Sequence, residues 1–139
     1  MCEYTIRSGR EEMQIDKIKK MLEQTYWADK RDMATIRKSM EHSLCYGAFL
    51  KDSGEQIGFL RIITDYATTF YLCDVIVDVN YRGLGIGKAM MNAIQNNKEV
   101  FSLKGFLVTR DAHDLYRKYG FQEGGSNFMG KASEEASRV

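Results

Sequence analysis

A glycine-rich loop between a predicted strand and a predicted helix constrains this chain most. Residues 81–88 read Tyr-Arg-Gly-Leu-Gly-Ile-Gly-Lys and follow the mostly apolar run Val75–Val79. Ile86, Met90 and Ile94 then recur at helical spacing. The first amides of a helix have no partner inside it and carry partial positive charge, and glycines let a ligand approach them closely. The segment therefore predicts a phosphate-binding loop; a glycine-rich turn without a ligand is the alternative.

The spacing of the glycines excludes two common phosphate-binding loops. A nucleotide-triphosphate loop needs Gly, four residues, then Gly-Lys-Ser/Thr. Here only three residues separate Gly83 from Gly87, and Ala89 stands where the hydroxyl that would bind magnesium belongs. The dinucleotide-binding fingerprint needs a third glycine at the position of Met90. The predicted ligand is therefore a phosphate compound of another class.

Composition limits the remaining classes of protein. A chain of 139 residues with a net charge of +1 predicts one domain and no strong attraction to nucleic acid or a membrane surface. We expect a domain over residues 1–130, a polar tail over residues 131–139 and a cytoplasmic location, because neither a membrane span nor a signal peptide is evident. The three scattered cysteines predict no metal site and no disulfide framework.

Hydrophobic periodicity predicts the element order β-αα-βββ-α-β-α-β. The predicted strands are 4–7, 44–50, 57–63, 70–79 and a buried 106–109, with weak closing strands at 121–123 and 127–131. Helices are predicted from about Ile15, from Asp32 as N-cap, after the glycine loop, and from Asp111 as N-cap of a short helix. This order predicts a mixed α/β sheet in which a βαβ crossover makes strands 4 and 5 parallel.

Two segments in this order resemble a known family. Arg82-x-x-Gly85-x-Gly87 is similar to the pyrophosphate-binding signature of the GCN5-related N-acetyltransferases (GNAT), and Leu115-Tyr116-x-x-Tyr119-Gly120-Phe121 is similar to their second signature. The segments 25–28, 64–68, 71–75 and 109–113 resemble a bacterial subgroup of small acetyltransferases whose substrate is unassigned. The resemblance implies the GNAT fold, in which strands 4 and 5 splay apart around the pantetheine arm of acetyl-CoA.

The resemblance also implies which groups hold acetyl-CoA as the acyl donor. Backbone amides of the loop would bind the pyrophosphate, the residues being Arg82, Gly83, Leu84, Gly85, Ile86, Gly87 and Lys88. Backbone groups of Val75, Ile76 and Val77 would pair with the pantetheine arm, and an amide near Val77 would polarise the acetyl oxygen. No metal is expected.

Two residues are candidate catalysts. Tyr116 matches the family tyrosine whose hydroxyl reaches the coenzyme sulfur, although a core aromatic is the alternative; Tyr119 is expected to pack. Asp74 is the candidate base, because a carboxylate between Leu72 and Ile76 on one strand face would be half buried with a raised pKa. Asp74 paired to an arginine, or capping a bulge, is the alternative, and a water chain can replace a single base.

The acceptor pocket is predicted from loops that border it in this fold. Aromatic side chains would form its wall, a carboxylate would attract a cationic amine, and His113 would relay a proton or lie at the surface. The predicted lining residues are Tyr26, Trp27, Asp65, Tyr66, Asp74, Thr109 and His113.

The function predicted from the sequence is transfer of an acetyl group from acetyl-CoA to a primary amine of a small molecule or protein, by direct attack in a ternary complex. A non-catalytic acyl-CoA-binding module is the alternative. The acceptor, the acyl-chain preference and the oligomeric state, with a homodimer allowed, are left open.

Overall fold

The computed structural model describes residues 2–134 and shows a five-stranded mixed sheet. The strands lie side by side in chain order: β1 (Tyr4–Ser8), β2 (Leu44–Leu50), β3 (Gln56–Thr64), β4 (Thr69–Val77) and β5 (Lys104–Phe106). The first four strands are antiparallel, and β4 and β5 are parallel. The predicted mixed sheet with parallel strands 4 and 5 is therefore confirmed.

Five helices connect these strands within the described residues: α1 (Ile15–Leu22), α2 (Met33–Glu41), α3 (Ile86–Gln95), α4 (Lys98–Phe101) and α5 (His113–Arg117). The predicted cap of α2 is confirmed, because the side chain of Asp32 accepts a hydrogen bond from the Thr35 amide at 2.8 Å. The predicted cap of α5 is wrong. The hydroxyl of Thr109, not Asp111, accepts from the Ala112 amide at 3.0 Å.

Each face of the sheet carries its own apolar core. On one face Ile86, Met90 and Ile94 of α3 are buried against the strands together with Tyr116. On the other face α1 and α2 bury a second cluster, whose fully buried members include Ile18, Met21, Leu22 and Ile36. Full burial of such a side chain contributes roughly 2 kcal/mol. The helical stripes seen in the sequence thus cover both faces of the sheet.

A β-bulge in β4 changes the predicted alternation of that strand. Arg61 lies opposite Cys73 whereas Phe59 lies opposite Ile76, so β4 contains one extra residue at this point. Asp74 within the bulge has a φ of 54°. Phe70 and Leu72 therefore face the first core, while Ile76 faces the second core. The prediction that all these side chains share one face is wrong, because the bulge re-aims the strand.

The strand β5 lies earlier in the chain than predicted and is not buried. Its ladder with β4 joins Thr69–Tyr71 to residues 104–106, and Val108 is 70% exposed. A Cβ at Gly105 would lie 2.3 Å from the Phe70 ring, so only glycine allows this close approach. Lysine and glycine are both depleted in strands, so Lys104 and Gly105 give little sequence signal for the start of β5.

The end of the described chain also differs from the prediction. The closing strands expected at 121–123 and 127–131 are absent from the described part of the chain, and residues Gly125–Asn127 form a short 3-10 turn instead. Two adjacent glycines, Gly124 and Gly125, favour a turn over a strand. Residues 131–134 are exposed and irregular; the rest of the predicted tail, 135–139, lies outside the described residues.

Candidate active site

The glycine loop presents free backbone amides at the start of α3. The Ala89 amide is bonded to the Gly85 carbonyl at 2.9 Å, and in the described structure the preceding amides of Ile86, Gly87 and Lys88 have no backbone partner. The Ile86 side chain is buried, whereas the loop tip at Leu84 is half exposed. The helix therefore has an open N-terminal end, with partial positive charge aimed into the loop.

The glycines of the loop leave its surface bare. Gly83 and Gly85 have φ values of +80° and +79°, which disfavour any side chain. A Cβ at either position would meet no protein atom within 4 Å. No neighbouring side chain therefore requires glycine at these two positions for packing. A phosphate group fits a surface of free amides without side chains, so the loop suits the pyrophosphate that the sequence predicted.

Arg82 supports the loop through its side chain. Its Nε donates a hydrogen bond to the Val77 carbonyl at 3.1 Å. The turn between them, Val79–Tyr81, begins where the Asp78 side chain accepts from the Asn80 amide at 2.9 Å. The strand predicted to reach Val79 therefore ends at Val77, and Arg82 fixes the loop against that end.

The edge of β4 next to the loop has no strand partner over most of its length. Pairing with β5 stops at Tyr71, so within the described residues the segment 72–77 is unpaired on that side. Val75 and Val77 are half buried against the first core. An extended pantetheine arm requires such an unpaired edge, which fits the roles predicted for the backbone of 75–77.

Tyr116 on α5 belongs to the apolar core against which Val75 and Val77 pack. It is 8% exposed, and its ring contacts Phe121 edge-on with centroids 6.2 Å apart. Burial, with a smaller contribution from the charge of Asp111, raises the pKa of Tyr116 to about 12. The hydroxyl therefore keeps its proton at neutral pH and is available as a donor.

Tyr119 has the packing role that the sequence predicted. Its hydroxyl donates to the Asn92 side-chain oxygen at 2.6 Å and lies 3.2 Å from the Lys88 carbonyl. These bonds hold the chain after α5 against α3. The two neighbouring tyrosines thus differ, because the Tyr116 hydroxyl makes no hydrogen bond to another described residue.

An open cavity of about 810 Å³ adjoins Tyr116 on the β5 side of the sheet. It brings together three predicted site residues, Thr109, His113 and Tyr116. Its wall also includes exposed apolar side chains after α5, namely Phe128 and Met129. The glycine loop does not line this cavity, so the cavity is separate from the predicted pyrophosphate site.

The structure corrects the environment predicted for Asp74. Its carboxylate accepts from Arg31 and from Arg61, each at 2.7 Å, and both partners are largely buried. Burial by itself would raise the pKa of Asp74, but the charges and hydrogen bonds of Arg61 and Arg31 outweigh it and lower the pKa. The expected raised pKa is wrong. The pairing and the bulge match the structural alternative that the sequence left open.

Asp65 and Tyr66 lie at the other end of β4 from the glycine loop. The span from Thr69 to Val77 corresponds to about 26 Å of strand. Both carboxylate oxygens of Asp65 accept hydrogen bonds within the turn, from the amides of Ala67 and Thr68 and from the Thr68 hydroxyl. These bonds lower the pKa of Asp65. Its carboxylate therefore stabilises the β3–β4 turn.

The segment between α1 and α2 contacts the chain that follows β5. We call residues 23–32 the α1–α2 loop. Tyr26 and Trp27 in it contact each other edge-on at 5.3 Å and are 58% and 36% exposed. The Arg110 guanidinium, which follows β5, lies 3.7 Å from the centre of the Tyr26 ring. The loop therefore reaches the chain after β5. A single loop arginine gives no sequence signal, so Arg110 was not predicted.

Burial keeps the thiols of the two inner cysteines, Cys45 and Cys73, in the protonated form. Burial raises the pKa of Cys45 to about 11 and that of Cys73 to about 12. Both thiols are therefore protonated at neutral pH.

In residues 2–134 there is no cluster of three or more histidine, cysteine or acidic side chains that fits a metal ion. The same residues include no helix long and apolar enough to cross a bilayer.

Comparison with known proteins establishes the family. The family described as the acetyltransferase (GNAT) domain matches residues 41–123. A crystal structure assigned as a GNAT-family acetyltransferase, from Xanthomonas campestris pv. campestris, is 35% identical with a TM-score of 0.87, over 96% of this chain and 95% of that chain. The chain therefore belongs to the GCN5-related N-acetyltransferase family, as the two sequence signatures predicted.

Two more distant proteins also resemble this chain, one in sequence and one in structure. A protein of Gibberella zeae named as an acetyltransferase is 26% identical over 141 residues, which cover 84% of this chain and 77% of that protein. The aminoglycoside N-acetyltransferase AAC(6')-Iy in complex with CoA is 16% identical with a TM-score of 0.70, over 95% of this chain and 96% of that chain. At that identity the likeness concerns the fold alone.

The buried cluster around Asp74 leads to a stability prediction. Asp74→Asn removes the charge that two buried arginines share, so we expect a loss of about 3 kcal/mol in the free energy of unfolding at pH 7. The pKa of Asp74 is lower in the folded protein than in the unfolded chain. The charge therefore stabilises the fold fully at pH values above the ordinary carboxyl pKa, and this contribution is lost as the pH falls through the pKa of the folded state. The difference between wild type and variant should therefore shrink below about pH 4.

Urea unfolding between pH 3 and pH 8 measures this difference. Asp114→Asn is the control, since it breaks an ion pair with Arg117 at the surface, where Asp114 is 97% exposed. An Asp74→Asn protein as stable as this control at pH 7 would contradict the structural role.

Proposed function

We propose that this protein is an N-acetyltransferase that moves the acetyl group of acetyl-CoA to a primary amine of a small molecule or an exposed protein amine, by direct attack in a ternary complex. One observation carries the proposal. The free amides of the glycine loop begin α3 shortly after β4, whose edge is unpaired over residues 72–77, and Arg82 of the loop bonds the Val77 carbonyl of that strand. Membership of the GNAT family, whose members use acetyl-CoA, supports it.

The main chain would hold the donor. Amides from Arg82 to Lys88 would bind the pyrophosphate, and the backbone of Val75, Ile76 and Val77 would bond the pantetheine arm. An amide near Val77 would polarise the acetyl oxygen. One such donor stabilises the developing negative charge in the transition state by about 3 kcal/mol. When bound, acetyl-CoA supplies an activated thioester carbonyl.

Tyr116 would complete the transfer. Its neutral hydroxyl would donate its proton to the sulfur that leaves, because a pKa of about 12 keeps the group protonated before the reaction. Direct attack is consistent with the inner cysteines, because burial raises their pKa and so disfavours the thiolate that a covalent acetyl intermediate would need.

The acceptor would lie between the α1–α2 loop and the chain after β5. Tyr26 and Trp27 would form one wall, with Thr109 and His113 on the other side. His113 would pass the proton of the amine to solvent, directly or through water. Asp74 is not proposed as the base, because two arginines bind its carboxylate and lower its pKa, which makes it a weak proton acceptor. Asp65 and Tyr66 are likewise not placed in this wall.

A panel of amines tests the proposal. The purified protein is incubated with acetyl-CoA and each amine, free thiol is measured, and coenzyme A affinity is determined by calorimetry. We expect binding of the coenzyme and amine-dependent thiol release for at least one class of amine. Coenzyme binding without release for every amine would favour the non-catalytic acyl-CoA-binding module instead.

A further inference from the structure

The α1–α2 loop is attached at two points that bracket Val75–Val77, one within β4 and one in the turn that follows β4. On one side the Val79 amide donates to the Gln24 side-chain oxygen at 3.0 Å. On the other side Arg31 donates to the Asp74 carboxylate at 2.7 Å. Gln24 and Arg31 thus connect the loop to the two ends of the strand segment proposed to hold the donor.

Between these two points one side of the loop is buried in the protein. Thr25, Ala28 and Arg31 are buried, at 7%, 3% and 4% exposure. The Thr25 hydroxyl donates to the Leu22 carbonyl at 2.7 Å and accepts from the Ala28 amide at 3.1 Å. This spacing leaves the side chains between them, Tyr26 and Trp27, on the outer side with higher exposure.

The bulge at Asp74 makes the second attachment possible. Asp74 lies within the bulge of β4 and has a φ of 54°. Its carboxylate binds Arg31 on the face of the sheet that α1 and α2 cover. Arg61 on β3 donates to the same oxygen and also bonds the Ser43 hydroxyl at 3.2 Å. Arg61 and the bulge hold the Asp74 carboxylate in place, so the ion pair between Arg31 and Asp74 fixes the loop to the sheet.

We propose that Gln24 and Arg31 are positioning residues, which hold the aromatic wall of the acceptor pocket in a fixed place relative to the donor strand Val75–Val77. The inference rests on the proposed function in taking that strand as the seat of the donor. Neither residue contacts the reacting atoms. Both act by keeping Tyr26 and Trp27 at a set distance from the acetyl group.

Trp27 is the single tryptophan of the chain, so its fluorescence reports on this loop alone. The test compares wild type with Gln24→Met and Arg31→Met. Gln24 is exposed, and Asp74 keeps Arg61 as partner when Arg31 is replaced, so both variants should fold. Arg37→Met, at an exposed position of α2, is the control.

Acrylamide quenching gives the first readout, without any substrate. Trp27 is 36% exposed when the loop is attached, and a fully released loop would raise the quenching constant about two- to threefold. Each variant removes one of the two attachments, so the constant should rise toward that limit in both variants and stay at the wild-type value in Arg37→Met. Unchanged quenching in Gln24→Met and Arg31→Met would overturn the inference.

Coenzyme A supplies the second readout. Its binding along β4 should change Trp27 emission in wild type, and Gln24→Met should lose most of that change while binding coenzyme A with the same affinity. An equal change in both proteins would overturn the coupling. For an amine found in the panel, the variants should raise the acceptor KM and leave coenzyme affinity unaltered. If wild type fails to bind coenzyme A, the proposed function fails, and quenching still decides whether the loop is held.

Discussion

Gly85→Glu should lower the affinity for coenzyme A by roughly 100-fold or more, which corresponds to about 2.8 kcal/mol. A glutamate here would place a bulky anion at the free amides of α3, where the structure has no protein atom near a Cβ. Like charge and steric block then act together against the pyrophosphate. The φ of +79° adds backbone strain of roughly 1 kcal/mol, which a folded domain tolerates. Calorimetric titration with coenzyme A measures the effect.

Gly54→Glu is the matched control for this variant. Gly54 also has positive φ, +75°, and open space at its Cβ position, but it lies in the β2–β3 turn. It therefore carries the same strain and the same added charge away from the glycine loop. Equal coenzyme affinity in Gly85→Glu and Gly54→Glu would show that the loop does not bind the pyrophosphate.

Tyr116→Phe should reduce turnover by roughly 100-fold while leaving coenzyme affinity nearly unchanged. The substitution removes one hydroxyl and retains the ring that packs on Phe121. Because the leaving sulfur would lose its proton donor, the loss should appear in kcat and not in the acceptor KM. Steady-state kinetics at saturating acetyl-CoA measure both constants.

Tyr119→Phe separates chemistry from packing. Its hydroxyl holds Asn92 at 2.6 Å, so the variant should lose about 1 kcal/mol of stability and keep wild-type turnover. If Tyr116→Phe also turns over like wild type, Tyr116 is a core aromatic and another group protonates the sulfur.

Local patterns were sufficient to predict most elements and the glycine loop. Helical stripes and the glycine-rich loop each depend on residues close in the chain, so their signals survive in a single sequence. The βαβ crossover then restricted strands 4 and 5 to a parallel arrangement. Tyr119 was predicted to pack because it lies at helical spacing, whereas Tyr116 matches the tyrosine of the family motif.

Long-range contacts explain what the sequence did not predict. Asp74 looks like a lone carboxylate on an apolar strand, because its partners Arg31 and Arg61 lie 43 and 13 residues away. A bulge has no periodicity signal of its own, so the faces of β4 were predicted incorrectly beyond Asp74. The contact between Arg110 and Tyr26 likewise joins two loops that only the folded sheet brings together.

The transfer itself tests the central claim most directly. The protein is incubated with acetyl-CoA labelled with deuterium in the acetyl group and with the amine panel, and labelled N-acetyl product and free thiol are quantified by mass spectrometry. We predict equal amounts of labelled product and thiol with wild type, and losses of both with Tyr116→Phe and Gly85→Glu. Full coenzyme binding without labelled product from any amine would contradict the assignment as an N-acetyltransferase.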